Sequence, residues 1–278
     1  MNKLKDVDSH FAFGENWADY AKNINERSIE EADKGLLRLI TKEELQGKTF
    51  LDIGCGSGLH SLAALRLGAS VVLATDIDSD SVATTKAVLE RHAPAGVRYE
   101  VREVSVFDLP EVITEHYDIV YSWGVLHHTG AMNEAISNAT KMVKPEGLFA
   151  VALYRKTTMC GVWRHIKKWY SQTNKTKQKT IRSVYINLLK LRYFLTGKDF
   201  NKFKSEYVSS RGMSFETDVH DWMGGYPYES ISSKEVHEFL ESLGFSLVRE
   251  NVHPSGLGFF GSGCDEYLFI KKSYNNNV

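Results

Sequence analysis

The sequence predicts an α/β protein with a doubly wound sheet, and three observations carry that prediction. Over the first 154 residues, short apolar runs alternate with segments of helical spacing, the pattern that pairs strands through right-handed crossovers. A glycine-rich turn, Gly54-Cys55-Gly56-Ser57-Gly58, directly follows the first of those runs. After Tyr154 the alternation stops, and a basic segment intervenes before one more helix and two more strands.

Taken in order, ERSIEEADKGLLRLI (26–40) has helical spacing, and TFLDI (49–53) reads as a short buried strand. LHSLAALRL continues as a helix, and SVVLATDI forms a second strand ending at Asp76. DSDSVATTKAVLERH is a helix with Asp and Ser available to cap its start. VRYEVREV and YDIVYSW read as strands three and four, AMNEAISNATKMV as a helix, KPEG as a turn and LFAVALY as strand five. SSKEVHEFLESLGF opens a closing helix, followed by strands around FSLVRENV and CDEYLFIKK. Ligands of such sheets bind at the carboxyl ends of the strands near the switch point, so the glycine turn is the expected floor of a site.

A chain of 278 residues with 42% hydrophobic content supplies a core for one large domain, or for one domain and a cap. The net charge of -1 gives no global argument for nucleic acid or membrane. Cys55, Cys160 and Cys264 are widely spaced, odd in number and without a CxxC pair, which argues against a disulfide framework or structural zinc. The start, MNKLKDVDSHFAFGENW, lacks a leader's apolar centre, and no apolar run approaches the roughly 20 residues of a membrane span. The expectation is a soluble cytoplasmic protein with no metal and no membrane partner.

The average charge hides an uneven distribution. From Arg155 to Lys204 there are fourteen basic residues against the single acid Asp199, a formal charge of +13, with Trp163, Trp169, Tyr170, Tyr185, Tyr193 and Phe194 interleaved. Read as a helical insertion covering the site, this segment would steer an anionic acceptor. It reads equally as an RNA surface, or as the solvated face of helices. Residues 211–229, RGMSFETDVHDWMGGYPYE, show weak periodicity and are expected to form a shaped substrate loop. Arg211 suits a phosphate or carboxylate, and His220, Asp221, Tyr228 and Glu229 offer polar contacts or a base. Folding of this segment onto the sheet accounts equally for Trp222 and Pro227.

LDIGCGSG, Asp76, YDIVYSWGVLHHTG and VKPEGLFAVALY together resemble the class I S-adenosylmethionine-dependent methyltransferases over residues 45–154. The spacing is G-x-G-x-G, with no G-x-G-x-x-G reading, and Asp76 stands 18 residues after Gly58. The resemblance implies a Rossmann-like seven-stranded sheet with a helical insertion after strand five. It implies an N-terminal helical lid over 1–45, a cofactor-binding core over 46–154, a basic insertion and substrate loop over 155–230, and closing elements over 231–278. The implied cofactor is S-adenosyl-L-methionine, with S-adenosyl-L-homocysteine as product. By resemblance, Gly54, Cys55, Gly56, Ser57 and Gly58 lie under its methionine and ribose portions, and Asp52 organises the loop and the amino group. Asp76 holds the ribose diol, a role that suits a carboxylate because it accepts two hydrogen bonds at once. Ile77 lies against the adenine, and Ser105 and Val106 stand where the family keeps an acid-containing pair. Trp123 and Gly124 border the sulfonium, and Trp17 is either a packing residue or part of the lid. Cys55 reads as a small filler of the loop and Asp108 as turn chemistry.

Methyl transfer from a sulfonium asks for alignment, water exclusion and, for a hydroxyl acceptor, removal of its proton. His127 and His128 stand where such a base is expected, with Asp221 as a further candidate; capping or packing of the following helix is the structural alternative for either histidine. YSWGVLHH lacks the Asn/Asp-Pro-Pro-aromatic element of enzymes that methylate base amines. The expected function is therefore O-methylation of a small anionic metabolite or sugar-pathway intermediate. A looser similarity of 211–229 to bacterial methyltransferases of surface-polysaccharide and other small-molecule pathways points the same way. RNA methylation and a non-catalytic cofactor-binding role are the alternatives.

Overall fold

The computed structural model describes residues 13–22, 24–211 and 215–273. Three helices, α1 (Phe13–Ala21), α2 (Glu26–Leu37) and α3 (Lys42–Leu45), precede the sheet. Then follow β1 (Thr49–Ile53), α4 (Leu59–Arg66), β2 (Val71–Asp76), α5 (Ser79–His92), β3 (Arg98–Glu103), α6 (Leu109–Val112) and β4 (Tyr117–Trp123). A 3₁₀ turn (Leu126–His128) leads to α7 (Met132–Lys141) and β5 (Val143–Tyr154). Four helices come next, α8 (Cys160–Ser171), α9 (Lys175–Leu195), α10 (Phe200–Arg211) and α11 (Phe215–Gly224), and α12 (Ser233–Ser242), β6 (Phe245–Asn251) and β7 (Cys264–Lys271) close the chain.

The strands form one seven-stranded sheet in the order β3-β2-β1-β4-β5-β7-β6. β1 to β5 pair in parallel, while β7 runs antiparallel to both β5 and β6. From β1 the chain works outward through β2 and β3, then returns to the other side of β1 as β4. The order therefore reverses between β1 and β4, and the glycine turn lies at that reversal. Because strand residues alternate sides, Phe50, Ile119, Tyr121, Ala150 and Leu268 pack on one face with α2, α4 and α5. Leu51, Ile53, Val120, Phe149, Val151 and Phe269 pack on the other with α7 and α12. Cover on both faces is why the central strands read as continuous apolar runs.

Two local expectations are corrected. KPEG is not a turn ahead of strand five but lies inside β5, whose pairing jumps from Tyr117–Val143 to Ile119–Leu148. Glu146 adopts φ 60 within this excursion, so turn chemistry is present as a bulge and does not end the strand. The expected loop 211–229 contains α11, because Phe215, Val219 and Met223 recur every fourth residue and are all buried. The α8–α11 insertion has its own core of Tyr170, Leu189, Phe200, Phe215, Val219 and Met223. It also touches the first helices, α10 against α2 and α11 against α1, so it spans the carboxyl end of the sheet as a cap.

Candidate active site

The glycine turn is held by the strands beside it. The N–H groups of Gly54 and Cys55 both donate to the Thr75 carbonyl, at 2.8 and 3.0 Å, and Gly56 N–H donates to Asp76 Oδ2 at 3.0 Å. Gly54 has φ 77, and a Cβ there would stand 2.4 Å from Val125 Cγ2. A Cβ on Gly56 would meet the Trp17 indole nitrogen at 3.0 Å, which places Trp17 directly over the turn. α1 reaches that position partly through Gly14 N–H, which donates to the Asp78 carboxylate at 3.3 Å. Asp78 is also the N-cap of α5 and donates its own N–H to Asp76 Oδ1 at 3.0 Å.

Two carboxyl groups sit under this turn with raised pKa values. Burial pushes Asp76 up to about 6, against the lowering by its backbone N–H donors. Burial pushes Asp52 up to about 7; the Ser61 hydroxyl, donating at 2.6 Å, works against the rise and the nearby Asp76 adds to it. Cys55 is buried, accepts from the Thr85 hydroxyl at 3.2 Å, and has its thiol pushed well above the ordinary range by burial.

At the carboxyl end of β4, the Trp123 indole N–H donates to Glu266 at 2.9 Å, and the same carboxylate accepts from Arg38 and Asn251, each at 3.0 Å. The His60 ring packs 5.2 Å from Tyr121 and 6.0 Å from Trp123, and burial lowers its pKa to about 4. No motif draws attention to His60, Arg38 or Glu266, because they come from three distant stretches that only the sheet brings together.

Tyr154, at the end of β5, is the centre of an aromatic cluster. The rings of His127, His128, Trp222 and Tyr228 stand 3.9, 5.1, 5.2 and 5.4 Å from it. Lys167 is fully buried here, with its ammonium nitrogen 3.6 Å from the Trp222 ring centre and bonded to the Trp222 carbonyl. Burial lowers its pKa well below the usual lysine value. The signal for Lys167 was in the sequence: Cys160, Trp163, Lys167 and Tyr170 form the buried 3-4-3 stripe of α8, and one member is a lysine.

The two histidines are held in opposite tautomers. His127 Nδ1 accepts from the Tyr154 backbone N–H at 3.3 Å, which puts the proton of the neutral ring on Nε2. Burial keeps that ring neutral, and among the described residues its Nε2 has no hydrogen-bond partner. His128 Nδ1 stands 2.7 Å from the Pro227 carbonyl, which can only accept, so Nδ1 carries a proton, and in the neutral ring Nε2 is the acceptor nitrogen.

The remaining candidates divide. Ser57 is buried in the turn and Ile77 is exposed beside Asp76. Ser105 Oγ accepts from Phe107 N–H at 3.3 Å, and Val106 is buried in the core on the other face of the sheet. Tyr228 reaches Cys160 and Ser262, each at 3.2 Å, and its phenol is pushed up by burial. His220 is half-buried in the cap, with Nδ1 2.7 Å from the Tyr170 hydroxyl and a pKa lowered by burial to about 4. Asp221 contributes to the electrostatics around Lys167 and Tyr154. Arg211 ends α10, and its side chain lies outside the described residues. Among the described residues no cluster of three metal-ligating side chains occurs.

Residues 51–149 match the family described as "Methyltransferase domain". A ubiquinone biosynthesis O-methyltransferase of Rhizobium etli is 31% identical over 181 residues, covering 61% of this chain and 70% of that protein. The chain belongs to the class I S-adenosylmethionine-dependent methyltransferases. The same-named protein of another Rhizobium etli strain is 34% identical over 145 residues, 56% of its length. The chain thus spans a little over half to about two thirds of these curated relatives. The structure of magnesium protoporphyrin IX methyltransferase from Synechocystis PCC 6803 with bound SAH superposes at TM-score 0.56, covering 98% of this chain and 97% of that one at 14% identity. That likeness establishes the Rossmann-like fold.

The cofactor of the family is S-adenosylmethionine, and the residues present fit it. The three glycines, packed against Val125, Trp17 and Thr85, keep the turn free of side chains of its own at the switch point. Asp76 is a carboxyl group that burial holds at about 6 despite backbone donors at Asp78, Gly56 and Ile77, and its two oxygens offer about four lone-pair sites, leaving acceptor capacity for a ribose hydroxyl.

Proposed function

We propose that this methyltransferase acts on a hydroxyl of a small, anionic acceptor held between the carboxyl end of β4 and the α8–α11 cap. The observation that carries the reading is the opposed histidine pair packed on the Tyr154 ring. One ring offers an acceptor nitrogen and the other a donor, the two functions a hydroxyl under methylation needs. Relatives named as O-methyltransferases support oxygen as the acceptor atom.

When bound, the cofactor supplies a methyl group already activated on a sulfonium. Asp76, Ile77, Ser105 and the backbone at Val106 hold its nucleoside end, and Asp52 with Gly54, Cys55, Gly56, Ser57 and Gly58 hold the remainder. Trp17 covers the turn and Trp123 borders the reacting end. His128 Nε2 takes the acceptor's hydroxyl proton, and His127 Nε2–H donates to an acceptor oxygen. Lys167 supports the anionic character of the acceptor, since an anion beside it restores the ammonium that burial alone disfavours. Arg211, His220, Asp221 and Tyr228 complete the acceptor side. On this reading residues 1–45 are the lid, 46–154 the cofactor core, 155–230 the acceptor cap and 231–278 the closing elements. A reducing cytoplasm suits the three free cysteines.

The test is transfer of labelled methyl from S-adenosylmethionine into cell extract divided into small-molecule and RNA fractions, with part of the former treated with phosphatase. Label in small molecules that phosphatase pretreatment removes is expected. Label confined to RNA overturns the acceptor class, and saturable cofactor binding without transfer overturns the catalytic reading.

A further inference from the structure

The cap carries an unpartnered feature that methyl transfer does not use. Inward, α9 presents Ile181, Tyr185, Ile186, Leu189 and Tyr193 to the cap core. Outward, Val184, Leu188, Leu191 and Leu195 follow one another at intervals of four, three and four residues, which places them on one line along the helix. They are 54%, 52%, 52% and 74% exposed, and Phe194 beside them is 80% exposed. The loop before β7 adds Leu257 and Phe259, both exposed. It is tied to α9 by the Tyr185 hydroxyl on the Phe260 carbonyl at 2.9 Å and by Arg192 over the Phe260 ring at 5.1 Å.

The charges around this stripe select its occupant. α9 contains six basic residues and no acid; Lys177 continues the line one heptad before Val184 and Arg192 flanks it, whereas Arg182 and Lys190 turn to Tyr170 and Phe200 of the cap. A second copy would bring two such helices together, setting cation against cation. RNA would match the charge but gains nothing from a row of aliphatic side chains, which neither stack on bases nor bind phosphate. An anionic bilayer satisfies both features, apolar side chains entering the headgroup boundary while lysines and arginines meet lipid phosphates. α9 does not cross the bilayer, and no described helix is long and apolar enough to do so.

We infer that the outer face of α9 docks the protein on an anionic lipid surface. The contact is shallow, because the inner half of the helix stays packed on the cap. It therefore needs apolar and electrostatic parts together, and the near-neutral net charge of the whole chain conceals it.

The test is flotation of the full chain with vesicles of phosphatidylcholine alone and of phosphatidylcholine mixed with phosphatidylglycerol. Flotation with the anionic vesicles only, and release when salt shortens the screening length, is expected. The double variant Leu188→Glu/Leu191→Glu is expected to weaken vesicle binding by at least roughly tenfold, from the loss of two inserting side chains. Its thermal unfolding and S-adenosylmethionine binding should match the unaltered chain, because both positions are exposed. Should it unfold early, Lys177→Glu, on the same line one heptad before Val184, tests this face through charge and should also weaken flotation. Absence of flotation, equal flotation with neutral vesicles, or flotation untouched by variants that remain folded overturns the inference. A concentration-dependent dimer abolished by Leu188→Glu/Leu191→Glu, without vesicle binding, assigns the stripe to a second copy. RNA retention lost in that variant, again without vesicle binding, assigns it to nucleic acid.

Discussion

Replacing Asp52 by Asn should make the cofactor-free protein more stable at alkaline pH, an unusual outcome for a residue in the binding turn. Asp52 is almost wholly buried and receives the Ser61 hydroxyl, yet burial still holds its carboxyl at about 7 against an ordinary 3.8. A group whose folded pKa lies above its unfolded value binds its proton more tightly in the folded chain. Its contribution is complete below about pH 4 and is lost as pH rises through about 7. The whole difference is worth about 4 kcal/mol, of which about 3 kcal/mol is lost between pH 5 and 8. An amide in this place keeps an oxygen for Ser61 and does not titrate. Urea unfolding of both proteins at pH 5 and pH 8, without cofactor, isolates this residue, since the other ionisable groups are common to both. The Asp52→Asn variant should gain on the unaltered chain by about 3 kcal/mol across that interval. Parallel pH dependences would refute the reasoning and show that Asp52 is charged and satisfied in the folded state.

Gly54→Ala puts a Cβ 2.4 Å from Val125 at φ 77, so cofactor affinity measured by calorimetry should fall at least about tenfold, with a lower melting temperature. Asp76→Ala should weaken cofactor binding by about 10- to 100-fold through loss of charged hydrogen bonds. In the unaltered protein that affinity should decline as pH falls through about 6, where the Asp76 carboxyl takes up a proton. His128→Ala should reduce turnover by about 100-fold or more with cofactor affinity unchanged, and the deficit should shrink at high pH as the acceptor ionises unaided. Asp265→Ala leaves Arg155 without its 2.7 Å partner in a largely buried place and should cost about 3 to 5 kcal/mol in urea unfolding, with little effect on the glycine turn.

The sheet was legible because each central strand is covered on both faces, so apolar runs and strand positions coincide from β1 to β5. The glycine turn was legible for a different reason: bare backbone at the switch point leaves a pattern of residue types. KPEG misled because turn residues also build bulges, and only pairing with β4 tells the two apart. The α11 segment misled because Gly224, Gly225 and Pro227 mark the end of a helix, and their signal obscured the Phe215-Val219-Met223 repeat before it. His60, Arg38 and Glu266 leave no local trace, since their association exists only once α2, α4 and β7 meet at the end of β4.

The histidine pair and the cap show what residue types alone withhold. HH states that two imidazoles are adjacent, but which nitrogen carries the proton depends on the Tyr154 amide and the Pro227 carbonyl, both supplied by distant chain. The cap's charge held more than its sum revealed. Lys167 puts an ionisable amine at a position of α8 that helical spacing assigns to the interior, and the Val184-Leu188-Leu191-Leu195 line is apolar where α9 should face water. Each breaks the local rule in the opposite sense, and a fold retains such a break where another interaction compensates it. For Lys167 the aromatic rings and the Trp222 carbonyl supply part of that compensation, and an anionic acceptor would supply the rest. For α9 nothing within the described chain covers the stripe, so what compensates it has to come from outside, and a helix with six basic residues and no acid sets the sign of its charge.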